Sequence, residues 1–327
     1  MLYACNPKEN AKRKIVVYSP HGKEMLSEIE KRFEAENPTI DVVWLDMGSQ
    51  AAFDRIRSEK QRPQADVWWG GPKELFQMAE KESLLEPYEP AWSNEISLPD
   101  RSEKFAWMPT FITPECIMFN QNLISSTEVP KEWDELLNPK WKGKIIIRDP
   151  IQSGTMRIIF SLMIQKEMDR TGSLDSGYYW LERLHKNTRG YAADPTQMYL
   201  KISRGEAPLT LWNVTDALLQ YQQNKLPFGF VIPESGTAFA IEGIALVKGS
   251  NNLNDAKKFY DYVTSDSSLV LQMEKFYRIP SRKINNQNVP WLTKLNYKRM
   301  PIKHEVTAEE QKIWMEHWQS VIRNKVD

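Results

Sequence analysis

The sequence predicts an α/β fold divided between two lobes, and three observations carry that expectation. Three strand–loop–helix units follow one another within the first 81 residues, the pattern of a parallel sheet that gathers ligands at the carboxyl ends of its strands. The same order recurs from Lys144 to Met168 and from Ala207 to Gln223. Two apolar extended stretches, Phe105 to Phe119 and Ala238 to Val247, suit crossings out to a second lobe and back. A chain of 327 residues has room for two cores of ordinary size. The expected division is a tether at 1–12, a first lobe of 13–112 plus 240–284, a second lobe of 113–239, and a helical C-terminal segment of 285–327 packing on the lobes.

Lys14 to Tyr18 reads as the first strand, Ser19 to Gly22 as its loop, and Glu24 to Glu36 as a helix with Met25, Leu26, Ile29 and Phe33 on one face. Asn37-Pro38 ends it. Ile40 to Leu45 is the second strand, and Ser49-Gln50 leads into a helix carrying Phe53 and Ile56. Ala65 to Trp69 is the third, with Gly70-Gly71-Pro72 as the loop that opens the helix at Lys73. Thr113-Pro114-Glu115 is expected to break the strand at 105–119. Ile145 to Ile147 is a short buried strand stopped by Asp149-Pro150. Ser153 caps a long helix, Met156 to Met168. Leu174 to Leu184 and Gln197 to Ser203 are helical, with extended chain between. Ala207 to Trp212 is a strand, Asn213 to Asp216 its loop, and Ala217 to Gln223 a helix. A strand at 228–232, helices at 255–264 and 307–323, and the return stretch complete the pattern.

Composition narrows the function. Lysine plus arginine equals aspartate plus glutamate, 43 each, which argues against nucleic acid as partner. No apolar run approaches a membrane span. G-x-S-x-G, Walker A, H-E-x-x-H and C-x-x-C motifs are all missing, so the sequence does not read as an enzyme and no cofactor is expected. Leu2-Tyr-Ala-Cys5 resembles a bacterial lipobox, and a lipid on Cys5 would anchor the chain outside the cytoplasmic membrane through the polar tether, to which Lys12-Arg13-Lys14 belongs. An ordinary terminal cysteine explains the same residues. Cys116, among Ile117, Met118 and Phe119, reads as a small buried hydrophobe.

Five strand-to-helix loops present candidate ligand groups: Ser19 with His21, Ser49 with Gln50, Gly70-Gly71 beside Trp69, Ser153-Gly154-Thr155, and Asn213 with Thr215 and Asp216 beside Trp212. The unpaired N–H groups and positive dipole end of a helix favour an anion. Several such ends together could hold a small anion without any arginine. Glu115, Glu234 and Asp216 could take hydroxyls or an amine, and Trp69 and Trp212 could stack on a ligand. Ordinary helix caps and core packing explain each residue singly. His185, His304 and His317 read as surface.

Val129-Pro-Lys-Glu-Trp-Asp-Glu-Leu-Leu-Asn-Pro-Lys-Trp-Lys-Gly-Lys-Ile145, followed by Asp149-Pro150 and Ser153-Gly154-Thr155, resembles the extracellular solute-binding proteins of bacterial ABC transporters. Ala65-Asp-Val-Trp-Trp-Gly-Gly-Pro72 and Gly243-Ile-Ala-Leu-Val-Lys-Gly249 support the likeness, which runs over about residues 13–284. The branch contains binders of ferric ion, thiamine, phosphonates and sugar phosphates. The resemblance implies two Rossmann-like lobes joined by a β-strand hinge, the type II periplasmic-binding-protein fold. It implies a monomer that captures a solute between lobes and delivers it to a membrane permease. The ferric binders carry adjacent tyrosines after the strand matching 208–212, where this sequence has Trp212-Asn-Val-Thr-Asp216. Tyr178-Tyr179 lies in an outer helix and does not match. A small organic anion, phosphorylated, is therefore the leading expectation. Rivals are ferric ion, a thiamine- or polyamine-type ligand, and an enzyme acting on a phosphorylated substrate.

Overall fold

The computed structural model describes residues 12–98, 100–285 and 289–324. Cys5 and its lipobox lie outside the described residues. Regular elements run in the order β1 (Arg13–Ser19), α1 (Lys23–Glu36), β2 (Ile40–Asp46), α2 (Ser49–Ser58), β3 (Val67–Pro72), α3 (Lys73–Lys81), β4 (Leu85–Glu86), β5 (Met108–Asn120), β6 (Ile145–Arg148), α4 (Gly154–Thr171) and α5 (Leu174–Asn187). The second half adds β7 (Thr188–Ala192), α6 (Pro195–Ser203), β8 (Leu209–Asn213), α7 (Val214–Gln222), β9 (Phe228–Val231), β10 (Phe239–Val247), α8 (Leu253–Val263), α9 (Asp266–Phe276), β11 (Ile279–Pro280), α10 (Pro290–Thr293) and α11 (Ala308–His317). A π-helical turn, Trp318–Ile322, follows α11. Short 3-10 turns, Trp133–Leu137 and Pro139–Trp141, lie between β5 and β6.

The chain divides into two compact units. Unit 1 is Met1–Phe111, Ile241–Lys275 and Pro280–Asn286; unit 2 is Ile112–Ala240, Phe276–Ile279 and Gln287–Asp327. In unit 1, β1 pairs in parallel with β2 and β3, so Val17 faces Trp44 on one side and Val67 on the other. β10 runs antiparallel to β3. Tyr18, Phe53, Trp68, Phe76, Trp107 and Ala245 form the core on one face. Trp68 and Phe76 stack at 3.9 Å, so β3 and α3 share one aromatic pair. The buried carboxylate of Asp66 accepts the Val16 N–H at 2.7 Å and the Ser250 hydroxyl at 2.5 Å. It ties the edge of β1 to the turn before α8.

Unit 2 is built on β5, β8, β6 and β7. β8 is antiparallel to β5, with Glu115 opposite Asn213, and parallel to β6, which is parallel to β7. α4 is about half polar in sequence, yet most of its length is buried, Ser161, Gln165 and Glu167 included. Ser153 Oγ accepts the Met156 N–H at its start, and Gly172, at φ 76°, closes its end by donating to Met168 O. Ile159, Phe160, Met163 and Ile164 join Ile145, Ile147, Trp180 and Leu184 in the larger core. Each such buried side chain contributes roughly 1.5–3 kcal/mol. Trp314, Met315, Trp318 and Ile322 belong to the same core, so the C-terminal segment completes unit 2. Cys116 is buried and free.

Four expectations are corrected. β5 runs unbroken from Met108 through Pro114 to Asn120. β3 continues to Pro72, because β10 lies alongside: Ile244 faces Trp69 and Glu242 faces Pro72, with Gly70 and Gly71 at the register shift between those pairs. Arg13 and Lys14 are in β1, not a tether, and Arg13 Nε donates to Asp255 on α8 at 2.6 Å. His185 and His317 are half-buried and packed: His185 meets the Tyr191 hydroxyl at 2.6 Å, and His317 stacks on Tyr178 at 3.7 Å.

α5 crosses α4 closely at Gly177, where a Cβ would fall 2.7 Å from Ile164 Cα. Backbone cannot yield as a side chain can. Gly177→Ala is expected to lower the free energy of unfolding by about 1–3 kcal/mol. A urea midpoint equal to or above that of the wild type would contradict this contact.

Candidate functional site

The parallel strands of each unit deliver their carboxyl ends to one edge. In unit 1, Ser19 and Asp46 are paired at the ends of β1 and β2, and the end of β3 lies next to β1. His21 is buried, and its N–H donates to Ser19 Oγ at 3.3 Å. Its ring meets Trp69 edge-on at 4.7 Å, with Nδ1 3.6 Å from Glu242 Oε2. The two glycines explain how these loops close up. A Cβ on Gly70 would sit 2.6 Å from His21 Nε2, and one on Gly71 3.0 Å from Ser49 Cβ. Both have positive φ, 98° and 111°. The structure thus gathers Ser19, His21, Ser49, Trp69, Gly70 and Gly71. Gln50 is exposed and donates to Asp54 at 3.1 Å along its own helix.

In unit 2, β6 and β8 each end at a helix N-terminus. Ser153 caps α4, leaving the first N–H groups, those of Gly154 and Thr155, without an intrahelical acceptor. Asn213 caps α7 by accepting the Asp216 N–H at 2.8 Å. Val214 to Asp216 are therefore the first turn of a helix, which corrects the loop expected there. The Asn213 side chain is fully engaged, since its Nδ2 donates to Asp216 Oδ2 at 3.1 Å. The same oxygen accepts Trp212 Nε1 at 3.0 Å and the Tyr199 hydroxyl at 3.2 Å. Trp212 Nε1 also donates to the Tyr199 hydroxyl, at 2.8 Å. Three donors on one carboxylate oxygen fix the strand end, the first turn of α7 and α6 to one another. Thr215 is buried, and its Oγ1 has no hydrogen-bond partner among the described residues. Glu115, opposite Asn213, is wholly buried. Glu234 lies exposed on the turn after β9.

Two residues stand out here that were not among the expected ligand groups. Tyr199 is buried, and burial together with the Asp216 carboxylate drives its phenol well above the ordinary tyrosine pKa. Arg148 ends β6, and it is 8 % exposed. Burial lowers its pKa from the ordinary arginine value, against the pull of Asp194, Tyr199 and Asp149. Alternation along Ile145-Ile-Ile-Arg148 was the available signal. Ile146 packs with Tyr199 and Trp212 and Ile147 with α4, so Arg148 follows Ile146 onto the Tyr199 side. Asp149 turns elsewhere, accepting the Ile151 N–H at 2.9 Å and Arg323 Nη1 at 2.6 Å.

Among the described residues no group of three or more His, Cys, Asp and Glu side chains is placed to hold a metal ion, and no helix is long and apolar enough to cross a membrane. Residues 63–299 match the model of a family described as bacterial extracellular solute-binding protein. The chain belongs to this family. It is 24% identical over 314 residues, 94% of this chain and 86% of the relative, to a "Probable ABC transporter periplasmic-binding protein" of Sinorhizobium fredii. "Iron uptake protein A1" of Synechocystis is 24% identical over 281 residues, 82% of this chain and 76% of that one. The solved periplasmic binding protein AfuA of Actinobacillus pleuropneumoniae, with exogenous fructose-6-phosphate bound, is 25% identical with a TM-score of 0.78, covering 96% of this chain and 100% of that one. The fold is that of type II periplasmic binding proteins. The family is one of extracytoplasmic transport proteins that bind solutes for ABC importers, not of enzymes.

Tyr199→Phe removes the acceptor of the Trp212 indole and a donor to Asp216, and is expected to cost about 1–3 kcal/mol of stability at pH 7. The raised phenol also sets a pH dependence. The unfolded chain releases this proton near pH 10 and the folded chain does not. The contribution is therefore intact below about pH 10 and is lost as pH rises above it. Thermal melts taken from pH 8 to 11 should fall more steeply for the wild type than for Tyr199→Phe. Parallel curves would contradict the assignment.

Proposed function

We propose that the protein is the extracytoplasmic solute-binding component of an ABC importer whose solute is a small phosphorylated organic anion, a sugar phosphate or phosphonate, which it hands to the permease. The observation that carries this reading is the edge of unit 2. There α4 and α7 begin at neighbouring parallel strands, with Gly154, Thr155 and Thr215 at their first turns and the Thr215 hydroxyl buried without a partner. Helix N-termini and hydroxyl donors suit the oxygens of a phosphoryl group. Each charge-assisted bond contributes about 1.5–3 kcal/mol. Asp216, Glu115 and Glu234 are the proposed partners for hydroxyls or an amine. From unit 1, Ser19, His21, Ser49, Gln50, Trp69, Gly70 and Gly71 are proposed as further ligand contacts. Ser153 and Asn213 act chiefly by capping, and Trp212 by holding Asp216. The bound fructose-6-phosphate of the AfuA structure supports this ligand class. The protein is proposed to act as a monomer, with lipid on Cys5 as its anchor.

A second reading, ferric ion, has one observation in its favour, the name of the Synechocystis relative. Iron in such a site needs phenolates, and the buried Tyr199 hydroxyl is committed to Trp212 and Asp216 with its proton held. Ferric titration tests it: a tyrosinate-to-iron charge-transfer band would support iron, and a colourless protein would remove it.

Ser153→Ala combined with Thr155→Ala is expected to weaken a phosphorylated ligand at least about tenfold, while leaving an unphosphorylated analogue nearly unchanged. Calorimetric titration of both ligands measures the difference. Equal losses for the two would mean that these residues shape the helix and do not read the phosphoryl group.

A further inference from the structure

The unit-2 site contains a buried arginine whose Nε no part of the described fold satisfies. Arg148 is more than nine-tenths buried, and its Nε has no hydrogen-bond partner among the described residues. A guanidinium N–H taken out of water without a partner is costly, and proteins keep such a group where something else completes it. The acids within its electrostatic reach are already committed. Asp149 holds Arg323 and the Ile151 N–H, and Asp194 caps α6 by accepting the Gln197 N–H at 2.8 Å. Tyr199, the third group it feels, is a neutral phenol bonded to Trp212 and Asp216. Alternation along β6 puts Arg148 on the side of Ile146, which packs with Tyr199 and Trp212, near the first turn of α7, where the Thr215 hydroxyl is likewise buried and unpartnered. Carrying the β6–β8 register forward three residues from Ile145 opposite Leu209 brings Arg148 level with Trp212. Two orphaned donors, one at the end of β6 and one in the first turn of α7, therefore share an edge with two helix N-termini.

We propose that Arg148 is the cation of the unit-2 site: with the Thr215 hydroxyl and the first N–H groups of α4 and α7, its guanidinium binds the doubly charged end of a phosphorylated ligand and makes the site select that group over an uncharged one. This rests on the phosphorylated-anion reading and adds the residue that supplies its charge. A planar fork of donors matches a phosphoryl oxygen pair, which a lysine ammonium does only in part. The account also gives the free protein and the complex opposite responses. Removing a buried, incompletely bonded cation relieves the fold, while removing it from the complex leaves the ligand's charge unmet.

The test titrates the full chain and its Arg148→Met and Arg148→Lys variants with fructose 6-phosphate, glycerol 3-phosphate and inorganic phosphate, with fructose as the uncharged control, and records thermal melts of each. For whichever phosphorylated probe the wild type binds, Arg148→Met should lose at least about thirtyfold in affinity and melt at or above the wild type. Arg148→Lys should recover to within about tenfold. Binding by Arg148→Met within about threefold of the wild type would overturn the assignment of Arg148 and leave the phosphorylated-anion reading standing. A melt well below the wild type that Arg148→Lys does not restore would overturn it too, by making the guanidinium structural. Failure of the wild type to bind any phosphorylated probe would overturn the underlying reading, and this proposal with it.

Discussion

Unit 2 depends on a single constraint: β6 and β8 are parallel neighbours, and each passes directly into a helix. Parallel strands put their carboxyl ends on the same edge, so two sets of unmatched N–H groups arrive side by side. Side-chain caps satisfy only part of them, through Ser153 at α4 and Asn213 at α7. The rest join two buried donors that lack a partner among the described residues, Arg148 Nε and the hydroxyl of Thr215. Little in the apolar core could satisfy them, and an anion can.

The surroundings hold that edge in place. Asp216 is fixed by three donors from Trp212, Asn213 and Tyr199, so the first turn of α7 is tied both to its own strand and to α6. α4 is anchored along its length by core packing against α5, β6 and the C-terminal tryptophans. Arg323 reaches from the C-terminal segment to Asp149, lying over the Tyr191 and Trp318 rings at 5.2 and 5.5 Å. The loop between β6 and α4 is thus braced by residues distant in sequence. A preorganised site loses less entropy on binding than one that must form around its ligand.

Much of this was legible in the sequence, for local reasons. The helices with one apolar face, such as α1 with Met25, Leu26, Ile29 and Phe33, declare themselves by period. Ser153 and Gly154 announce the start of α4 by capping chemistry. The misreadings came where a distant partner decides. Gly70-Gly71-Pro72 has the composition of a turn, yet β10 pairs on either side of the two glycines, and they form an irregularity within β3. α9 was missed because its Leu-Val-Leu run masks the helical spacing of buried Leu269 and Met273. Arg148 was passed over beside the Asp149-Pro150 stop, although alternation along β6 puts it on the side of Ile146, with Tyr199 and Trp212. Tyr199 lies in a stretch read only as helical, and nothing local places its hydroxyl on Asp216. Membership of the solute-binding family agrees with the fold, and the identity of the solute rests on this edge.

The most direct test of the claim that this edge holds a phosphorylated anion is native mass spectrometry of the protein as purified from cells grown on complex medium, with 31P NMR of the species it releases on denaturation. The account predicts a non-covalent organic adduct whose release gives a phosphate-ester or phosphonate resonance in proportion to the protein. An adduct with the mass of iron, or an organic ligand that contains no phosphorus, would contradict it.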